Sequence, residues 1–497
     1  MCGLTIPRPR WVQVVRARTR TAKLRGIIGK AAPTYFVGPR SIAFKLQPVR
    51  LRNLLTWTPR FAPRDAPSSV NPDRISSDAE RYYQACGTAI KRGQWHNDSW
   101  ETMSTKERRI LTTHVGSLVR PEVLAGFLRA QDLGQPIDEP AFQQCLRASV
   151  SEVVRRQIET GLDLINDGEF GKTISWSRYV LERMSGFVQR NVQPGDPSMP
   201  QASIGKDHRD FPEFYAEYDA SQGFTRLKGW AVTGPVSYTG TTALERDIED
   251  LKSAVGPADE GRLFMTAVAP GSVAPDRADE YYKSDEDFLF AVADAVRVEY
   301  KAIVDAGLML QIDDAYFALT YETMVPPGTL RDYREWAELR VAALNRALRD
   351  IPPERTRYHV CWGSWNGPHA SDVPLKDIID LLLEVRVGGY SLEMANARHE
   401  HEWHVWEQTK LPDGKVLLPG VVTHSTNVVE HPELVAERIT RLAKLVGRGN
   451  VIASTDCGFA QGPFVRRVHP SIMWAKLAAL VEGARLASKE LWGRTEK

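Results

Sequence analysis

The stretch RYHVCWGSW, residues 357 to 365, sets His359 and Cys361 two positions apart at the end of a short β-like run. Residues i and i+2 of a strand point to the same side, so the pair can offer an imidazole nitrogen and a thiolate sulfur to one ion at about 2.0–2.3 Å. Cys457, in a DCG turn, and Glu393, in SLEMAN, complete an N, S, O, S donor set suited to zinc. Each has a plainer use as well, because a buried cysteine acts as a small apolar residue and a strand-end histidine can satisfy a backbone carbonyl. The four come from three distant parts of the chain, unlike the local CxxC pairs of structural zinc sites. That spacing favours a catalytic ion.

Ser117, Glu169, Asp313, His424 and Asp456 also close short apolar runs. Carboxylates so placed can clamp an ammonium through charge-assisted hydrogen bonds, or can pair with neighbouring cations. HEHEWH (399–404) does not match the metalloprotease helix, since Trp403 and Val405 stand four residues after His399 and His401. It reads as a polar loop. GPVSYTG lacks the lysine of a phosphate loop, so no nucleotide site is expected.

Something must bring these residues together. From residue 108 the chain alternates short β-branched runs with long amphipathic stretches, the pattern of parallel strands joined by helices. ILTTHVGS, DLINDGEF, LFMTAVAPGSV, MLQIDDAYF, YHVCWGS, GYSLEMAN, VLLPGVVTHS and VIASTDCGF are the expected strands. Helices are expected between them, LKDIIDLLLEVR and PELVAERITRLAKLV included. Eight strand–helix units predict an α/β (β/α)8 TIM barrel, with its active site where strands meet the following loops. The segment 171–260 is too long for a connection and is expected to be an insertion over the barrel mouth.

The 497 residues, 42% hydrophobic and 25% charged, are ordinary globular values. Five scattered cysteines argue against a disulfide framework, and no apolar run is long enough to span a bilayer, so a cytoplasmic protein without membrane association is expected. The net charge of +2 conceals a split, because residues 1–64 carry 14 Lys and Arg and no acid. Residues 1–102 are read as a basic, disordered extension and 103–497 as the barrel; a mitochondrial targeting role for the head is the lesser alternative. The head has no aromatic-plus-glycine nucleic-acid motif, and no nucleic-acid partner is expected.

TTHVGSLVRP, INDGEFG, LQIDDAYF, YHVCWG, SLEMAN, LPGVVTHSTNVVEHPE and ASTDCGF, in this order, resemble the catalytic half of the cobalamin-independent methionine synthases, and more closely their short single-barrel branch. The resemblance spans about 108–492. It implies a zinc-dependent barrel that passes a methyl group from methylfolate to the sulfur of homocysteine. By that resemblance His359, Cys361, Glu393 and Cys457 hold zinc; Gly116, Ser117, Glu169 and Asp313 hold the amino acid; and His424 delivers a proton to the departing pterin. An imidazole of unperturbed pKa near 6.5 suits that last task. Two thiolates and one carboxylate around Zn²⁺ carry a formal charge of about −1, which leaves a third sulfur nucleophilic.

The sequence departs from the family in two places. TGPVSYTGTTAL has no tryptophan where the family's folate stack uses one, and the chain between Cys361 and Glu393 is lengthened through WNGPHASDVP. The thiol half of the reaction is thus better supported than the donor half. A zinc alkyltransferase resembling the epoxyalkane:coenzyme M transferases is the alternative reading.

Overall fold

The computed structural model describes residues 107–493, except 174, 192–204, 222–227, 461 and 463–466. The basic head expected at 1–102 lies outside the described residues, as do parts of the expected 171–260 insertion.

The β-branched runs form strands β1 (Leu111–Thr112), β2 (Phe187–Asn191), β3 (Lys228–Val232), β4 (Phe264–Val268), β5 (Ala278–Asp279), β6 (Met309–Asp313), β7 (Thr356–Val360), β8 (Gly389–Leu392), β9 (Val416–Val422) and β10 (Ile452–Thr455). Seven of them make one all-parallel sheet in the order β1-β10-β9-β8-β7-β6-β4. Every residue of β4, β6 and β7 is buried, as a parallel sheet covered by helices requires. The other three strands form a small sheet, β2-β3-β5, within and beside the insertion.

DLINDGEF, expected as a full strand, contributes a single parallel bridge, Ile165 to Leu263. Its side chains explain why. Asn166 Oδ1 accepts from the Gly168 N–H and Asp167 Oδ1 from the Glu169 N–H, both at 2.9 Å, which turns the backbone out of the ladder. The short piece before the turn still bonds both sheet edges. Asp163 and Leu164 N–H donate to Thr112 O of β1, and Ile165 N–H donates to Arg262 O just before β4. The curled parallel sheet is consistent with a TIM barrel.

Helices cover the outside. Glu139–Thr160 is opened by the Asp138 carboxylate accepting from the Ala141 N–H, and Leu330–Ala347 by a reciprocal capping box of Thr329 and Asp332. LKDIIDLLLEVR, expected as one helix, gives only a short 3-10 turn and the helix Ile379–Leu383. The Tyr390 hydroxyl takes the carbonyls of Leu383 and Val385 and ends it there. No helix among the described residues is long and apolar enough to cross a membrane.

The interior is layered from bottom to top. Leu111, Leu164, Phe264, Met309, Val416, Leu418 and Ile452 form an apolar floor at the amino ends of the strands. Burying each such side chain contributes about 1.5–3 kcal/mol, which lets the layers above be polar. Arg357 lies over the Phe264 ring at 3.9 Å and donates to Gln311 Oε1, Thr113 Oγ1 and His114 O, tying β6, β7 and the chain after β1 together. Above it, at the carboxyl ends, lies the candidate site.

Candidate active site

His359 and Cys361, on and just after β7, meet Cys457 from the turn after β10. One ligand atom from each lies within 4.8 Å of the others, and all three residues are buried. The His359 Nδ1 is held by Ser391 Oγ of β8 at 3.2 Å, while its Nε2 has no oxygen or nitrogen partner. Such an arrangement fixes the ring and leaves one nitrogen for a metal. The two thiols shift in opposite directions. A hydrogen bond from Cys361 and another from His359 pull Cys457 well below the usual thiol range, while the same contact and burial push Cys361 up. One thiolate is thereby favoured beside the imidazole, and a second would need a cation.

Glu393, just after β8, is buried but not one of the three converging residues. Asn396 Nδ2 donates to its Oε2 at 2.7 Å, and its Oε1 has no partner. Burial, opposed by His399 and reinforced by the charges of Asp456 and Cys457, lifts its carboxyl well above the usual range. A buried carboxylate oxygen, an imidazole nitrogen and two thiols, all lacking full neutralisation, fit a soft divalent ion.

A cavity of about 180 Å³ adjoins the cluster, and Ser117, Glu169, Asp313, His359, Cys361 and Cys457 all line it. Six of the nine residues singled out from sequence therefore share one wall-lined space. Gly116 sits immediately behind it. At φ +140°, an added Cβ would lie 2.8 Å from Thr266 Cγ2 and 2.9 Å from Glu169 Oε1. His114 sets this turn: the Gly116 N–H donates to its Nδ1 at 3.2 Å, and its Nε2–H donates to Gln157 Oε1 at 2.7 Å. Burial lowers the His114 pKa to about 4, so the ring stays neutral. Gly458 must also lack a side chain, because a Cβ there would meet Ser117 Oγ.

Glu169 has φ +61°, a strained backbone position for a residue with a side chain. Its Oε1 accepts from Thr266 Oγ1 at 2.7 Å and lies 3.4 Å from Lys172 Nζ. The ion-pair alternative for this carboxylate is thus present in the structure, and Lys172 was not picked out from sequence. Burial, with the charge of Glu169, lifts Asp313 to about 7.

His424 is buried near Cys457, outside the cavity lining, and its Nδ1 has no hydrogen-bond partner. The expectation of a proton held near neutrality is corrected here. Burial pushes its pKa down to about 4, against the attraction of Cys457. Asp456, grouped with the converging polar residues, instead supports the Glu393 loop. Its Oδ1 accepts from the Met394 and Ala395 N–H groups at 2.8 Å each.

The histidine tract behaves as a support too. His399 bonds Glu402 at 2.9 Å and Asp372 at 3.2 Å and stacks on Trp362. Burial alone would strip its proton, but these carboxylates outweigh burial and raise its pKa to about 10. Trp176, Tyr316, Trp365 and Arg467 also line the cavity. Sequence reasoning missed them, though Trp365 and Trp176 stand in the lengthened loop and the insertion that were flagged. The two segments touch: Trp365 Nε1–H donates to the Tyr215 hydroxyl at 3.1 Å.

No family model matches the chain. It is 25% identical over 409 residues to 2-hydroxypropyl-CoM lyase of Xanthobacter autotrophicus, covering 77% of this chain and 96% of that protein. It is 22% identical over 396 residues to methionine synthase of Saccharolobus solfataricus, covering 76% and 95%. A solved B12-independent methionine synthase from Shewanella sp. W3-18-1, in complex with selenomethionine, superposes with a TM-score of 0.57 at 19% identity over 77% of this chain and 99% of that one. The fold, the run of matched sequence and the buried His-Cys-Cys cluster agree, and the chain is a distant homologue of the cobalamin-independent methionine synthases and of 2-hydroxypropyl-CoM lyase.

Proposed function

We propose that the chain is a zinc-dependent thiol methyltransferase, with homocysteine as acceptor and a methylfolate as donor. One observation carries this reading: the His359, Cys361 and Cys457 ligand atoms converge within 4.8 Å, beside a cavity that also holds Ser117, Glu169 and Asp313. The working unit is 103–497, a (β/α)8 barrel in which the 163–165 segment serves as the eighth stave. His359, Cys361, Cys457 and Glu393 would hold the zinc, which when bound keeps a thiol ionised at neutral pH, where a free thiol is only about 3% thiolate.

The chain's own side chains supply the rest. Glu169 and Asp313 take the substrate ammonium, and Asp313, lifted to about 7, ionises fully once that cation arrives. Ser117, locked between Gly116 and Gly458, positions the amino acid. Methyl transfer conserves one proton, since the thiol loses it and the leaving amine gains it. His424, neutral at pH 7 with a partnerless Nδ1, is suited to relaying that proton rather than storing it.

A second reading draws on the 25% identity to 2-hydroxypropyl-CoM lyase and the missing tryptophan after TGP. There the thiolate would attack another alkyl electrophile, with no pterin to protonate. Zinc-edge absorption of the purified protein with and without homocysteine tests both. About one zinc per chain and a gained Zn–S contact are expected, with methionine formed from methylfolate in the first reading only. Full thiol alkylation by a metal-free preparation would overturn both.

A further inference from the structure

Resting on that thiol-transfer reading, we infer that Trp176 roofs the paired cysteines and limits the alkyl group borne by the substrate sulfur to methyl. Cys361, Cys457 and Ala315 form a small buried cluster apart from the main core, and Trp176 packs against it. The same indole lines the cavity together with both cysteines, Glu169 and Asp313. A substrate sulfur that joins the cysteines enters beside this ring, and any group on that sulfur must share the space with it.

The ring is held in place. Trp176 stacks on Tyr316 with centroids 6.1 Å apart and planes 28° from parallel, inside the range of about 4.5–7 Å at which aromatic pairs attract. Tyr316 belongs to the helix Ala315–Leu319 that follows β6. Its N–H donates to Ser272 Oγ at 3.3 Å, and that hydroxyl donates to Asp314 Oδ1 at 2.6 Å. The indole therefore leans on a ledge built onto β6, the strand that also presents Asp313.

The two ends of a ligand meet different chemistry. Ser117, Glu169 and Asp313 offer polar partners to the head of an amino-acid thiol, whereas Ala315 and Trp176 give the sulfur end apolar surface. A methyl group gains by leaving water for such a surface. A longer chain has to push the stacked indole aside, and close-packed side chains resist that shift. One methylene more or less in an apolar pocket changes discrimination by about 10–200-fold.

A rival role for Trp176 is to keep water from the sulfurs without measuring the alkyl group. The two roles separate by calorimetric titration of the full-length, zinc-loaded protein with methionine and its S-ethyl and S-propyl homologues. The methyl, ethyl and propyl thioethers of 2-mercaptoethanesulfonate are titrated beside them, with homocysteine and 2-mercaptoethanesulfonate as the parent thiols. In at least one series wild type should bind the methyl thioether at least about 10-fold more tightly than the ethyl one. That ratio should fall toward one in Trp176→Ala. Trp176→Phe, a smaller ring that can still stack on Tyr316, should admit ethyl before propyl and stands in should the alanine variant fail to fold. Lost water exclusion or a loosened fold weakens every member of a series alike and leaves the ratio where it was. A ratio that moves in neither variant, or no preference for methyl in a wild type that binds either parent thiol, overturns the role of Trp176. Wild type that binds neither parent thiol nor any thioether overturns the thiol-transfer reading itself, and this inference with it.

Discussion

Asn396 holds Glu393. Its Nδ2 donates to Glu393 Oε2 at 2.7 Å and to Asp456 Oδ2 at 3.2 Å, so one amide ties the candidate ligand to the turn that carries Cys457. Asp456 in turn fixes the backbone of Met394 and Ala395. Outer partners of this kind orient a ligand, and their loss typically costs 10–100-fold in metal affinity. Asn396→Ala should therefore weaken zinc binding by about 10–100-fold, measured by chelator competition, with an unchanged circular dichroism spectrum. Unaltered zinc affinity would remove Glu393 from the donor set.

Cys457 is the donor contributed by the last strand turn, and its ligand atom lies within 4.8 Å of those of His359 and Cys361. Cys457→Ser should lose more than about 100-fold in zinc affinity, beyond the range expected of a supporting residue, and should lose methyl transfer with it. Added zinc should raise the wild-type melting temperature, because an ion at about 100 times its Kd adds about 2.7 kcal/mol to the folded state. The serine variant should melt at the same temperature with or without zinc. A variant that keeps its zinc response would mean the ion is held elsewhere.

Much of this site was legible because strand ends are legible. HVC, DCG, QIDD and the GS after TTHV are short, local signals, and a parallel α/β fold sends all such ends to one face. What escaped the sequence depends on distant partners. Lys172 matters only because Thr266 and Glu169 stand beside it, and Arg467 only because it meets Ser364, 103 residues away in the chain. The low pKa of His424 likewise comes from burial that its own neighbours in THS do not encode. DLINDGEF was misjudged as a strand for the converse reason, since its Asn and Asp side chains capture their own backbone.

Gly116 couples backbone to chemistry. A Cβ at this position, at φ +140°, would press on Thr266 and on Glu169 Oε1. Gly116→Ala should destabilise the fold by about 1–3 kcal/mol and displace the Glu169 carboxylate. Amino-acid thiols should then bind more weakly, while a thiol without an ammonium group is affected less. Calorimetric unfolding and titration with homocysteine and 3-mercaptopropionate check this. Equal losses for both thiols would show that Glu169 does not read the ammonium.

Glu322 gives the protein a measurable pH signature away from the metal ligands. Burial first, then the negative charges of Asp207 and Asp372, raise its carboxyl to about 7, against a hydrogen bond from the Asp207 N–H and the nearby His369. Asp207 belongs to the insertion and accepts from the Ala370 N–H of the lengthened loop, so the group sits where those two segments meet. Between about pH 4.5 and 7 the folded state keeps a proton that the unfolded chain has released, and stability must fall as pH rises through that window. The loss is at most about 3 kcal/mol and is complete above pH 7. Glu322→Gln removes the titration while keeping an acceptor for Asp207. Its melting temperature should match wild type near pH 4.5 and exceed it by a few degrees at pH 8. Parallel melting curves for the two proteins across this range would show that Glu322 is ionised at neutral pH and that the insertion meets the loop without a shared proton.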